Sequence, residues 1–216
     1  MSEETKKTGL SRREFLKDAG LVVGGAAVGT TVFAAAGCKE KIVEKEVIVQ
    51  VEVPGPGDPR LLYNVNGRNY ALDRVEPYWS LNFVLREKFG LTFTKNGCDR
   101  GQCGHCTVLV DGVPMYSCLV LAVDAAGGKK EITTAESLAP DMFNLTGIAK
   151  EFHDNEAFQC GWCTAGFMMA TKALLAENAR PSLQEVREAL AGHLCICTAI
   201  KEVCETVVMC GEKGVK

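Results

Sequence analysis

The stretch Gly97-Cys98-Asp99-Arg100-Gly101-Gln102-Cys103-Gly104-His105-Cys106, with Cys118 twelve residues further on, decides how this chain is read. Its C-x4-C-x2-C…C spacing is that of plant-type [2Fe-2S] ligation, in which four thiolates converge on a diiron cluster. Gly101 and Gly104 permit backbone dihedrals that turn amide N–H groups toward sulfur, where they stabilise added negative charge. A zinc site would more naturally use two separated C-x2-C knuckles. Rieske centres need two histidines, so His105 is expected beside the ligands or on the surface, not among them.

Working outward, Leu61-Leu62-Tyr63-Asn64-Val65 and Asn69-Tyr70-Ala71-Leu72 flank Asn66-Gly67, two residues that tolerate positive φ and so predict a hairpin. Ser80 is a good N-cap, and Leu81, Val84 and Leu85 share one helical face before Gly90 stops the helix. Thr107 to Val110 reads as a strand that Asp111-Gly112 turns back toward Met115. Two hairpins with a helix between them predict a small mixed sheet with one helix packed across it.

From Phe143 onward the periodicity is helical. Phe158-Gln159-Cys160-Gly161-Trp162-Cys163 opens a run to Glu177. Ser182 with Glu185 forms a capping box leading Leu183, Val186 and Leu190 to Gly192. His193-Leu194-Cys195-Ile196-Cys197 then opens a last helix carrying Val203 and Val207. Both cysteine pairs therefore stand at or just before a helix N-terminus, and two successive helical segments joined by a turn would bring them together. There, free N–H groups and the positive dipole end favour thiolates and an anionic cluster. Residues i and i+2 do not share a helix face, which puts Cys195 in an irregular lead-in. Disulfides, which export normally favours, and a tetrahedral zinc site are the rival uses of these four thiols. Cys204 and Cys210 are expected as buried small hydrophobes.

The remaining sequence sets the context. The chain has 216 residues, 24 Lys plus Arg and 27 Asp plus Glu, and the formal charge of -3 offers no electrostatic reason to bind nucleic acid. Residues 1–37 read as an export signal: Ser11-Arg12-Arg13-Glu14-Phe15-Leu16-Lys17 precedes an uncharged stretch from Ala19 to Gly37. The paired arginines resemble a twin-arginine signal, which marks proteins exported already folded around a cofactor. Ala35-Ala36-Gly37-Cys38 resembles a lipoprotein box, so Cys38 is a candidate lipid anchor, and the membrane is met only through signal or lipid. Residues 38–60 read as a tether in which Val47, Val49, Val51 and Val53 alternate, ended by Pro54-Gly55-Pro56-Gly57. The expected location is the periplasm or the outer face of the cytoplasmic membrane.

With both cysteine sets placed, the chain resembles the small iron–sulfur subunit of the molybdenum hydroxylases, the xanthine oxidase family, and most closely its exported aldehyde-oxidising branch. The resemblance covers roughly Leu61 to Met209 and rests on the loop above, on Cys106-Thr107-Val108-Leu109-Val110-Asp111-Gly112 and on Ile132-Thr133-Thr134. It rests also on Gln159-Cys160-Gly161-Trp162-Cys163-Thr164 and on Cys195-Ile196-Cys197-Thr198. It implies an α+β architecture: a β-grasp plant-type ferredoxin domain over 61–138, then an all-α four-helix bundle over 139–216. One [2Fe-2S] cluster is implied on Cys98, Cys103, Cys106 and Cys118, and a second on Cys160, Cys163, Cys195 and Cys197. Gln159 matches a residue that contacts molybdopterin carried by a separate large subunit. Electrons would enter through the helical cluster and leave through the ferredoxin cluster to a cytochrome, a flavin subunit or a soluble carrier. The family usually has Arg where this chain has Ile196, and Gly-Tyr where it has Ala199-Ile200.

The implied role is that of an oxidoreductase subunit with no catalytic residue of its own, since no G-x-G-x-x-G nucleotide fingerprint occurs. Two other readings suit the same residues: a stand-alone ferredoxin-like carrier with a helical appendage, and a zinc-stabilised surface lipoprotein.

Overall fold

The computed structural model describes residues 60–139 and 145–215, all within one compact unit, Val49–Lys216. The signal, Cys38, Phe143 and the tether apart from Arg60 lie outside the described residues. Among the described residues no helix is long and apolar enough to cross a membrane.

Two hairpins form as the turn residues require. Strands β1 (Leu61–Val65) and β2 (Arg68–Leu72) pair antiparallel around Asn66 (φ 52°) and Gly67 (φ 72°). Strands β3 (Thr107–Val110) and β4 (Val113–Tyr116) pair around Asp111 (φ 52°) and Gly112 (φ 82°). Strand β5 (Glu131–Thr133) lies between them, parallel to β1 and antiparallel to β3, which gives the mixed order β2-β1-β5-β3-β4.

Ser80 caps helix α1 (Leu81–Phe83) by accepting from the Phe83 amide at 3.2 Å. The expected regular helix does not continue. Val84–Lys88 is a π-helical turn in which the Phe89 amide reaches back to the Val84 carbonyl, and Gly90 (φ 71°) ends it. The wider turn still leaves Leu81, Val84 and Leu85 fully buried against Tyr63, Val65, Val108 and Ile132. Helix α2 (Ala122–Ala125) closes this core.

A 3-10 turn, Ala135–Leu138, leads to four helices: α3 (Gly147–Asp154), α4 (Thr164–Glu177), α5 (Leu183–Ala189) and α6 (Ile200–Glu212). Ser182 and Glu185 make the capping box that starts α5. Lys213 at the end of α6 donates to Glu151 of α3 at 2.6 Å. Phe152, Phe167, Met169, Val203 and Val207 fill the core between these helices, with Cys204 and Cys210 buried among them as expected.

Strand β3 ties the two cores together. Side chains alternate across a sheet, so Val108 and Val110 join the core under α1 while Leu109 joins the helical core. All four residues of β3 are buried for this reason. The strand starts directly after Cys106, and α4 packs on its other face directly after Cys163.

Candidate metal centres

The first cysteine set is built on one loop and one hairpin. Asp99 (φ 54°), Gly101 (φ 71°) and Gly104 (φ 73°) curl the loop. The Gln102 amide then donates to Cys98 Sγ at 3.3 Å and the Cys98 amide to Cys103 Sγ at 3.4 Å. The Ser117 amide and hydroxyl both donate to the Cys106 carbonyl, at 3.2 and 2.7 Å, and so bring Cys118 beside Cys106. Cys103 stands beside Cys98 and Cys118 beside Cys106, so the four sulfurs fall as two neighbouring pairs. The Gln102 amide is the main reason the Cys98 thiol is held down to about 7. Burial first, then Cys106, pushes Cys118 up to about 12. Space is tight around the loop: a Cβ on Gly97 would stand 2.8 Å from Cys103 Sγ, and one on Gly101 would overlap Leu119.

The second set is assembled from two distant segments. Cys163 is the N-cap of α4, and Cys195 and Cys197 lie in the irregular lead-in to α6. The starts of α4 and α6 meet with α5 intervening in the chain, so the two helices are not successive. Gly161 (φ 77°) and Thr198 (φ 64°) turn the two segments inward. Cys197 stands beside Cys160 and Cys195 beside Cys163, again giving two neighbouring pairs. The Trp162 amide is the main reason Cys160 is held low, while burial pushes Cys163 up to about 12. All ten described cysteines are free of disulfide bonds. Among the described residues no three His, Cys, Asp or Glu side chains gather on a single ion position.

The two sets meet along a hydrogen-bonded seam. The Leu194 amide donates to the Cys103 carbonyl at 3.0 Å. His105 Nε2 lies 2.8 Å from the Leu194 carbonyl, His193 Nε2 lies 2.9 Å from Thr107 Oγ1, and the Tyr116 hydroxyl donates to the Gly192 carbonyl at 2.8 Å. Burial lowers the His193 pKa to about 4. A Cβ on Gly166 of α4 would collide with the Gly104 carbonyl, so that glycine sets how closely α4 approaches the loop. Sequence reading missed Gly166 and the role of His193; a glycine inside an otherwise apolar helix was the available signal for the first. On the outer side, Gln159, Cys160, Trp162 and Ile196 are exposed, Ile196 by 94%.

The donor sets suit iron–sulfur chemistry. Each offers four thiols in two pairs, with backbone amides directed at sulfur, and dinuclear iron takes two thiolates on each metal. Fold and sites together define an iron–sulfur protein: the [2Fe-2S] binding domain family matches residues 134–208. The 6-hydroxypseudooxynicotine dehydrogenase complex subunit beta of Paenarthrobacter nicotinovorans is 42% identical over 69% of this chain and 91% of its own length. An aldehyde oxidoreductase iron-sulfur-binding subunit of Escherichia coli (strain K12) is 38% identical, over 72% of each. Among solved structures, the quinoline 2-oxidoreductase from Pseudomonas putida 86 matches with a TM-score of 0.66 and 41% identity, over 72% of this chain and 94% of that one. The chain belongs to the molybdenum hydroxylase family, among the small iron–sulfur subunits of its xanthine, aldehyde and nicotine dehydrogenases. It is thus a non-catalytic electron-transfer subunit of an oxidoreductase.

Proposed function

We propose that the chain carries two [2Fe-2S] clusters and relays electrons from a large molybdopterin-binding subunit to an external acceptor. Cys98, Cys103, Cys106 and Cys118 would hold one cluster, and Cys160, Cys163, Cys195 and Cys197 the other. When bound, such clusters supply one-electron storage. The observation that carries the reading is the arrangement of both sets as two thiol pairs, each pair matching one iron of a dinuclear centre. The strand order and the four packed helices support a β-grasp domain over 61–138 followed by a four-helix bundle over 139–216.

The two sites would differ in role because they differ in exposure. Gln159 and Cys160 lie at the surface, which suits the helical site to the molybdopterin of the partner. Cys103 and Cys106 are 5% and 3% exposed, so their loop delivers charge outward through its rim and not by direct contact. The acceptor would be a cytochrome, a flavin subunit or a soluble carrier outside the membrane, because residues 1–37 read as a twin-arginine signal, with Cys38 as a lipid anchor. The relatives' names span nicotine derivatives, quinoline and aldehydes, which leaves the choice of substrate, aldehydes included, to the large subunit.

Low-temperature EPR of the dithionite-reduced chain, with iron, zinc and acid-labile sulfide assays, tests this directly. Two distinguishable S = ½ signals with matching iron and sulfide are expected. One signal would reduce the protein to a simple carrier, and a colourless zinc protein would overturn the proposal.

A further inference from the structure

His105 and His193 come from opposite ends of the seam, and each reaches into the other's segment. His105 stands between Cys103 and Cys106 and directs Nε2 at the Leu194 carbonyl, next to Cys195. His193 stands two residues before Cys195 and directs Nε2 at the Thr107 hydroxyl, next to Cys106. The partners settle the tautomers. A carbonyl only accepts, so His105 Nε2 carries a proton. Thr107 Oγ1 donates its single proton to the Gly104 carbonyl at 2.6 Å, so His193 Nε2 must donate as well.

In both rings Nδ1 is buried with no partner. An orphaned buried polar atom costs free energy, so each ring is held in place by the one bond it makes and by its packing. The packing is specific. The His193 ring lies 5.3 Å from that of Phe167 and 6.0 Å from that of Tyr116. Two glycines make room for the two rings: a Cβ on Gly104 would stand 2.5 Å from the His193 ring, and one on Gly97 would stand 2.5 Å from His105 Nδ1. Between them runs the Leu194-to-Cys103 hydrogen bond.

We propose that His105 and His193 form a reciprocal clasp that fixes the separation and orientation of the two cysteine sites. They are positioning residues, acting on Cys195 through Leu194 and on Cys106 through Thr107. The proposal rests on the reading of two clusters given above. The magnetic and electronic coupling between the two sites depends on the clasp, whereas the capacity of each site to bind iron does not.

The test uses the full chain purified with its large subunit, as wild type and as His105→Ala, His105→Gln, His193→Gln and Thr107→Val. Two readouts are taken: the spin–spin interaction between the two reduced centres by EPR, and amide hydrogen exchange of the peptide containing Leu194. In His105→Ala, iron content should stay constant, the interaction splitting should change, and Leu194 exchange should speed up by roughly fivefold, the loss of about one net hydrogen bond. His105→Gln, whose side-chain amide can donate from a similar depth, should restore both readouts. Thr107→Val removes the partner of His193 from the opposite side and should loosen the same peptide, even if His193→Gln folds poorly. Unchanged splitting and unchanged exchange in His105→Ala and Thr107→Val would overturn the clasp. A wild-type sample with one signal and no splitting would overturn the two-cluster reading instead, and the exchange measurements would still decide the clasp.

Discussion

The two cysteine sites offer the same four side chains but are built in opposite ways. The first is local: three cysteines on one tight loop and the fourth tied to Cys106 by Ser117, with Cys103 and Cys106 almost sealed from solvent. The second is a junction of two segments. Cys160 is exposed, and Trp162 (48% exposed) and Ile196 stand open beside it. The first needs little beyond its own loop to keep its shape. The second is held by the meeting of α4 and α6 and by the Leu194 strap across the Cys103 loop. Apolar surface left open around a ligand set is what a partner subunit would cover, so the difference in construction matches a difference in neighbours.

The largest expected effect exposes that dependence. Cys163→Ser removes a buried ligand of the junction and should abolish the helical-site EPR signal while the other signal persists at full intensity. Cys106→Ser should abolish the ferredoxin-site signal and also diminish the other, because the Cys195 segment leans on the Cys103 loop. Iron analysis and EPR of the two variants check this. Equal and independent losses would mean that the sites are autonomous. Next in size is Gly166→Ala, which drives a Cβ into the Gly104 carbonyl. Overpacking costs roughly 1–3 kcal/mol, only partly offset by the gain of about 1 kcal/mol in helix propensity. Urea unfolding of the full chain should show a net loss. A gain would mean that α4 does not bear on the loop.

What was legible in the sequence follows the same division. The first loop, both hairpin turns, the Ser80 cap and the Ser182–Glu185 box are short-range patterns, each dictated by the conformational needs of a few adjacent residues. The four cysteines of the second set were legible as residue types at helix starts. Which sulfur pairs with which was not, since Cys160 with Cys197 and Cys163 with Cys195 depend on how α4 and α6 meet around α5. The seam was illegible for the same reason: His105 to Leu194 and His193 to Thr107 span 89 and 86 residues. Nothing in the apolar pattern of Leu81 to Leu85 marks the π turn, because a π and an α turn bury the same three side chains. The placement of β5 between β1 and β3 is likewise a matter of topology, and the two hairpins read from the sequence did not include that strand.

A finer effect should separate the two sites electrically. Ile196 stands between Cys195 and Cys197, and at 94% exposed it touches almost nothing. In Ile196→Arg the added positive charge should raise the potential of the helical site and leave that of the ferredoxin site unchanged. Water and salt screen a charge so placed, so the shift should stay below about 60 mV, one factor of ten in a one-electron equilibrium. Redox titration followed by EPR reads both centres in one sample. A shift in both, or a loss of iron, would show that Ile196 bears on the fold of the junction and not only on its field.

The smallest effect tests what lies inside the junction. Helix α5 separates the two ligand-bearing segments in the chain, and its start depends on the Ser182 hydroxyl accepting from the Glu185 amide while Glu185 accepts from the Ser182 amide. Ser182→Ala should cost about 1 kcal/mol, the usual worth of an N-cap. Of the side chains in α5 only Val186 is fully buried, and it contributes to the helical core. The loss should therefore appear in the unfolding midpoint alone, with both EPR signals and the exchange of the Leu194 peptide unchanged. If the helical-site signal falls while the ferredoxin-site signal holds, α5 is part of the frame that brings Cys160 and Cys163 to Cys195 and Cys197, and the junction is assembled from three helices instead of two.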